Sequence, residues 1–309
     1  FEEEPMSIPT TRTKENGHIT LNPAVCKKCG TCVKICPDQS LVMKDGVVAV
    51  NPTPFFGCLA CGQCVAACPT GAISVTGRCL SVDDFVSLPE VKDRTNFEFL
   101  YNLMLSRRSV RHFQEKPVED TIVQKILVAA KTAPMGIPPS DVSVLVLNGK
   151  EKVAAFVADF VAHLKKTRWV FSRWFYHVMT VFMSKETKIL WKDFVIPICQ
   201  FLIERHHKGE DWLLYNAPLA LYFHGTAYSD PADPVIAATY AMLAGESLGL
   251  GSCMIGSVSP MIKSGAKALK KKYNLPAKIP SGLVVIFGHP KYKFQRAIKR
   301  SFARENIYR

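Results

Sequence analysis

The sequence predicts an α+β fold in two parts, a small cysteine-rich module followed by a larger domain that mixes helices and strands. Three observations carry that expectation. Cys26, Cys29, Cys32 and Cys36 precede Pro37, and Cys58, Cys61, Cys64 and Cys68 precede Pro69, so the pattern C-x2-C-x2-C-x3-C-P occurs twice at an offset of 32 residues. From Asn96 the pattern changes, and Phe97, Leu100, Tyr101, Met104 and Leu105 fall at helical spacing. Beyond them lie short apolar, β-branched stretches at 143–147, 219–224 and 281–287, each the length of a strand. With 309 residues, 48% of them hydrophobic, the chain is long enough for two domains with a sizeable core.

The repeat uses eight of the eleven cysteines. Thiolates at this spacing suit iron–sulfur clusters, because a short loop wraps three sulfurs around one cube and the fourth cysteine reaches the other. The expected sets are Cys26, Cys29, Cys32 and Cys68 for one [4Fe–4S] cluster, and Cys58, Cys61, Cys64 and Cys36 for a second. Structural zinc uses paired C-x2-C knuckles rather than four-cysteine runs ending in Cys-Pro. Disulfides need an oxidising compartment, and no secretory signal is seen; the expected clusters imply a reducing cytoplasm. Residues 18–78 resemble bacterial-type two-cluster ferredoxins, down to Cys29-Gly30, Cys61-Gly62 and Pro69-Thr70-Gly71-Ala72-Ile73. The first half carries Pro37-Asp38-Gln39-Ser40 at the matching place. A pseudo-twofold module follows, with two strand pairs and two helices, His18–Leu21 and Val47–Val50 being strands.

The formal net charge is +13. Residues 1–80 hold 7 Lys/Arg against 6 Asp/Glu, so the excess belongs to the larger domain. Such a balance suits nucleic acid, an anionic cofactor or substrate, or an acidic protein partner. No nucleic-acid motif accompanies it. No uncharged apolar run reaches the roughly 18 residues of a membrane span.

Taken in order, residues 1–17 form a polar tail. Cys79, just past the module, reads as a small buried residue rather than a ligand. Residues 79–96 read as a linker with a short helix, and 97–309 as the second domain. Its first helix runs into Ser106-Arg107-Arg108-Ser109-Val110-Arg111-His112-Phe113. Those arginines are either a solvated run or a phosphate cradle of Arg forks and a hydroxyl. A helix at 121–131 leads to Ala133-Pro134-Met135-Gly136, a rigid turn continuing through Pro138 and Pro139.

Here the chain resembles the FMN-dependent nitroreductase family, which opens its domain with Arg-Arg-Ser-x-Arg-x-Phe. The resemblance implies that Arg107, Arg108, Ser109 and Arg111 bind the flavin phosphate. It implies flavin contacts from Pro134, Met135 and Gly136, with Met135 standing where the family has serine. The helix 234–248 followed by Gly249-Leu250-Gly251-Ser252-Cys253-Met254-Ile255-Gly256 is similar to the family's helix and glycine loop. That likeness places Gly251, Ser252, Cys253, Ile255 and Gly256 at the flavin. Cys253 is expected as a buried neighbour. Gly288-His289-Pro290 resembles the family's Gly-Tyr-Pro, and the basic residues Arg296, Lys299 and Arg300 would complete the phosphate site. The family fold implies a central, mostly antiparallel sheet flanked by helices, in a homodimer with FMN at the interface.

Residues 151–208 fit this pattern least. Ala154–Leu164 reads as a helix, the stretch from Trp169 to Met179 is unusually aromatic, and 191–203 is apolar and interrupted by Pro197. Three readings stay open: core and dimer packing, a lid over an apolar pocket, or, less favoured, an amphipathic membrane-surface contact. His163, His177, His206, His207 and Tyr215 lie in or near this segment, and none is singled out as a proton donor.

The expected function is an iron–sulfur flavoenzyme oxidoreductase. Electrons would pass from an acidic donor such as ferredoxin or flavodoxin, or from NAD(P)H, through two [4Fe–4S] clusters to FMN. The acceptor would be a small apolar molecule such as a nitroaromatic, quinone or activated alkene. The alternatives are an electron-transfer flavoprotein, or a redox sensor, without its own small-molecule substrate.

Overall fold

The computed structural model describes residue 9 and residues 13–171, 175, 184–263 and 265–308. The acidic stretch Glu2-Glu3-Glu4 and most of the aromatic run 172–179 lie outside the described residues. The chain divides into two compact units, Phe1–Arg94 with Pro134–Ser143 and Gly225–Pro234, and Thr95–Ala133 with Val144–His224 and Val235–Arg309.

In the first unit, β1 (His18–Leu21) pairs antiparallel with β4 (Ile73–Thr76), and β2 (Leu41–Lys44) pairs with β3 (Val47–Val50). Two short helices, α1 (Thr31–Ile35) and α2 (Gln63–Ala66), follow the cysteine loops. Each starts from a left-handed glycine, Gly30 (φ 70°) and Gly62 (φ 73°), which turns the loop back on itself between its second and third cysteines. The small core is Leu41, Val48, Ala60, Ile73 and Val75, with Cys64 among them. Two segments from later in the chain belong to this unit, one bonded to Arg78 and the two bonded to each other. Arg78 donates to Pro138 O (2.9 Å), Thr226 Oγ1 donates to the Asp141 carboxylate (2.5 Å), and Gly136 N–H donates to the Asp233 carboxylate (3.1 Å).

The expected linker helix is absent; two single 3-10 turns, Val82–Asp84 and Val91–Asp93, stand in its place. The first is closed by a capping box between Ser81 and Asp84. Cys79 is exposed, not buried, because it occupies a left-handed turn position (φ 66°) that points it outward.

The second unit is built on a four-stranded sheet in the order β5 (Ser143–Asn148), β6 (Leu219–His224), β8 (Gly282–Gly288), β7 (Gly251–Ile255). β6–β8 and β7–β8 are antiparallel, with Leu219 opposite Phe287 and Gly251 opposite Gly288. Every residue of β6 is buried, so the central strands read as continuous apolar runs rather than alternating ones. Ala220, Tyr222, Val284 and Ile286 face one layer of helices. That layer includes α5 (Lys150–Lys166), which buries Val153, Phe156, Val157, Phe160, Val161 and Leu164 as one stripe. On the other face α8 (Asp233–Ser247) passes so close that a Cβ on Gly245 would meet the Phe287 ring at 2.8 Å. Helices α3 (Phe97–Ser106) and α4 (Asp120–Ala130) precede β5; α4 buries Val123, Ile126 and Ala130, and α3 buries nothing.

The insert is helical where described: α5, a 3-10 turn at Arg168–Phe171, α6 (Lys185–Leu190), a π turn at Trp191–Val195, and α7 (Ile196–His207). Pro197 does not interrupt it. The chain is helical without a gap from Lys185 to His207, and Pro197 follows closely on the π turn, where its missing N–H coincides with the change from π to α turns. Among the described residues no helix is long and apolar enough to cross a membrane. Two short helices, α9 (Val258–Ile262) and α10 (Lys267–Lys272), complete the unit.

Candidate cofactor sites

The eight repeat cysteines border two separate cavities in the first unit. One is lined by Cys26, Cys29, Cys32 and Cys68, the other by Cys36, Cys58, Cys61 and Cys64. Each cavity takes three sulfurs from one run and the last from the other. That crossing follows from the fold: β1–β4 and β2–β3 bring the end of each run to the start of its repeat. Backbone N–H groups already point at sulfur, from Lys28 to Cys26 (3.4 Å), Ser40 to Cys36 (3.3 Å) and Ala72 to Cys68 (3.2 Å). Such bonds stabilise thiolate and are among the factors that set a cluster's potential. Among the described residues no three His, Cys, Asp or Glu side chains close around a single ion. The cysteines line the two cavities instead.

In the second unit three segments far apart in sequence converge. Ser109 bridges Ser252 in β7, and Val110 N–H donates to Ser252 O (2.9 Å). Phe113 bridges Pro290, Gln114 N–H donates to His289 O (2.9 Å), and Lys291 N–H donates to His112 O (3.0 Å). The segment 107–114 is therefore held against the sheet edge at both ends. Gly251 is what permits the approach, since a Cβ there would stand 2.5 Å from the Val110 side chain. Arg107 and Arg108 are half-buried, Ser109 and Arg111 exposed, and none of the three guanidinium groups has an ion-pair partner among the described residues. Ser252 Oγ is fully buried with no partner. Arginines without carboxylate partners beside the exposed Ser109 hydroxyl fit an anionic, hydrogen-bonding group such as a flavin phosphate.

The rest of the expected flavin set divides. Gly251–Ile255 is a strand rather than a loop, because β8 pairs with it along its length; only Gly256 lies in the following turn. Cys253 is buried, as expected. Pro134, Met135 and Gly136 belong to the first unit, where Asp233 holds Gly136. Arg296, Lys299 and Arg300 lie in an exposed, irregular segment after Pro290 and make no side-chain bond among the described residues.

A cavity of about 1470 Å³ opens beside the edge strand. Arg111, Met254, Ile255, Gly256 and Ser257 form one side; Trp169, Trp191, Phe194, Ile198 and Leu202 of the insert form another, with Trp212 and Tyr215 between. The Arg111 guanidinium stands 5.7 Å from the Tyr215 ring centre. The lining is mainly apolar, and the space exceeds the roughly 300–1,000 Å³ of a pocket for one drug-sized ligand. His163 lines it too; burial, with Lys166 and Lys270 nearby, holds its imidazole below the ordinary range. Asp159 is tied to Lys272 (2.6 Å) and to the Tyr273 hydroxyl (2.7 Å). Sequence reasoning left Trp191, Phe194 and Trp212 unassigned, since an aromatic stripe has the same spacing whether it packs a core or lines a cavity.

The match to known proteins agrees with this layout. A model of the nitroreductase family matches residues 104–289, and a 4Fe-4S dicluster domain model matches residues 25–73. Among solved structures the chain is similar to a nitroreductase with bound FMN from Bacteroides fragilis NCTC 9343 (TM-score 0.50, 17% identity, covering 69% of this chain and 100% of that one). It is also similar to a nitroreductase with bound FMN from Desulfitobacterium hafniense DCB-2 (TM-score 0.48, 20% identity, 68% and 98% covered). No curated protein matches.

Proposed function

The chain belongs to the nitroreductase family and carries a 4Fe-4S dicluster domain ahead of that fold; from that premise we propose an oxidoreductase that links two [4Fe–4S] clusters and one FMN to reduction of an apolar organic acceptor. When bound, the clusters would supply single electrons and the flavin would pair them for transfer. In this reading Cys26, Cys29, Cys32 and Cys68 hold one cluster and Cys36, Cys58, Cys61 and Cys64 the other. Arg107, Arg108 and Arg111 neutralise the flavin phosphate, and Ser109 donates a hydrogen bond to it. The edge strand and Gly256 present backbone to the ring.

The observation that carries the acceptor is the large cavity. Its aromatic wall comes from the insert, and its size leaves room for a second molecule beside a cofactor. Nitroaromatics, quinones and activated alkenes have the flat apolar bodies such a wall would stack on. The donor in this reading is an acidic electron carrier, such as ferredoxin or flavodoxin, or NAD(P)H. The net charge of +13 favours docking of the former. A homodimer is proposed from α3, which exposes Phe97, Phe99, Tyr101 and Met104, and from a tail that exposes Phe302 and Tyr308.

The test is anaerobic reoxidation of the reduced, cofactor-loaded chain by a quinone, a nitroaromatic and an activated alkene. At least one should react with a saturable rate. Phe194→Glu, which sets a charge on the apolar wall, should raise its KM roughly tenfold, about 1.4 kcal/mol of binding, with cofactor content unchanged. A rate linear in acceptor concentration and indifferent to F194E would contradict the acceptor site.

A further inference from the structure

We propose that Trp212 and Tyr215 select the acceptor by offering their rings to a flat conjugated molecule, and that Glu210 and Arg205 are positioning residues that fix the Trp212 indole for this task. The inference rests on the reading that the large cavity takes the acceptor, and it names the side chains that discriminate there.

Both rings stand on one short turn, residues 210–216, soon after the end of α7, and both line the cavity. The Asp211 carboxylate holds that turn together. It accepts backbone N–H groups from Leu213 (2.9 Å), Leu214 (2.9 Å) and Asn216 (2.8 Å). Leu213 and Leu214 are buried and anchor the turn in the core. Tyr215 (φ 58°) and Asn216 (φ 51°) are both left-handed. Residues other than glycine keep that conformation only where their surroundings over-determine it, and such residues gather at ligand sites.

The Trp212 indole is braced as well as carried. Its Nε1–H donates to Glu210 Oε2 (2.7 Å), and Arg205 donates to the same oxygen (3.1 Å). The Arg205 guanidinium stands 5.6 Å from the indole centre and 5.0 Å from the Phe201 ring centre. Phe201 meets the indole edge to face at 5.4 Å, and Tyr215 does so at 6.3 Å. The Trp212 N–H, and after it Arg205, draw the Glu210 carboxyl below its ordinary range. Yet the indole is 45% exposed, so polar bonds and ring contacts rather than burial set its place.

An exposed ring that is already rigid loses little freedom when a ligand stacks on it. Flat conjugated molecules gain from that contact, whereas a small acyclic alkene has no face to offer. The Arg111 guanidinium lies 5.7 Å from the Tyr215 ring centre. The pair therefore stands on the side of the cavity assigned to the cofactor, where an acceptor must lie to receive electrons.

The experiment measures kcat and KM for naphthoquinone, nitronaphthalene and the acyclic methyl vinyl ketone with the reduced, cofactor-loaded chain, without oxygen. The variants are Trp212→Leu, Glu210→Ala, Glu210→Gln and the double variant W212L with E210A. W212L should raise the KM of the flat acceptors about tenfold with kcat holding. E210A should raise it about threefold alone and no further in the W212L background, since Glu210 acts through the indole. E210Q, which keeps an oxygen for the indole N–H, should stay near wild type. A KM unmoved by W212L, or raised equally by E210A with and without Trp212, would overturn the proposal, as would turnover confined to methyl vinyl ketone. Should W212L lose its cofactors, E210A and E210Q decide: a KM raised in the first and restored in the second supports the proposal, and equal values overturn it. Phe194→Glu separates this inference from the reading beneath it. If F194E raises KM and W212L does not, the cavity keeps its acceptor and only the selecting role of Trp212 falls; if neither does, the acceptor site falls with it.

Discussion

Cys36 and Cys68 are the residues on which the cluster assignment turns, because each stands with the run it does not belong to. Cys36→Ser should remove the cluster shared with Cys58, Cys61 and Cys64, and Cys68→Ser the other, each variant keeping about half of the iron. If each substitution removed the cluster of its own run, the crossed sets would be wrong. These ligands were legible because their chemistry is their spacing. Arg78 was not, since nothing in a linear sequence distinguishes a buried arginine from a solvated one; only the unusual Arg-Cys pair at a turn marks it. His224 was equally silent. It is 5% exposed with Nδ1 unpartnered, and burial holds its imidazole below the ordinary value. The unfolded chain therefore takes up this proton at higher pH than the folded one. Stability is present above about pH 6.5 and lost as the pH falls below it, by about 1.4 kcal/mol for each pKa unit of depression. His163 and His289 are depressed in the same direction and add to the effect. Thermal melts from pH 7.5 to 5 should show the Tm falling, with a shallower fall in His224→Phe; an unaltered slope would remove His224 from the account.

Among the elements, α3 shows what periodicity can and cannot tell. Its apolar spacing gave the helix correctly, yet the face it implies is not buried by the chain itself, and Tyr101 and Met104 remain about half exposed. A period reports that a face will be covered, not by what. The proposed cover is a second copy. Tyr101→Glu with Met104→Lys should shift the mass by light scattering from twice 34.4 kDa to the single-chain value. A double variant still at twice that mass would place the interface elsewhere. The glycine strand was misread for a related reason. Gly249, Gly251 and Gly256 suggested a loop, but close approach of Val110 requires glycine in an extended strand just as a turn does. Pro197 marks a change from π to α turns within one helical run, which in the sequence alone looks like an interruption. The strands β6 and β8 were legible because both faces are buried and the apolar run is uninterrupted.

At the scale of the whole molecule the division into a cysteine module and a larger domain was plain from composition, whereas the return of Pro134–Ser143 and Gly225–Pro234 to the first unit was not. Arg78 bonds one of those segments, and Asp141 and Asp233 bond the two to each other, polar contacts that leave no periodic trace. The charge of +13 also belongs to this scale, since it acts on a partner as a field and should make association with an acidic carrier fall steeply with salt. The central claim is that electrons enter at the cluster module and leave from the flavin side. It is tested most directly by anaerobic stopped-flow absorbance of the reconstituted chain mixed separately with reduced ferredoxin, NADPH and NADH. The account predicts that ferredoxin bleaches the iron–sulfur absorbance before the flavin absorbance. Rapid loss of the flavin absorbance with a pyridine nucleotide, the iron–sulfur absorbance following or unchanged, would contradict it and make the module an exit rather than an entrance.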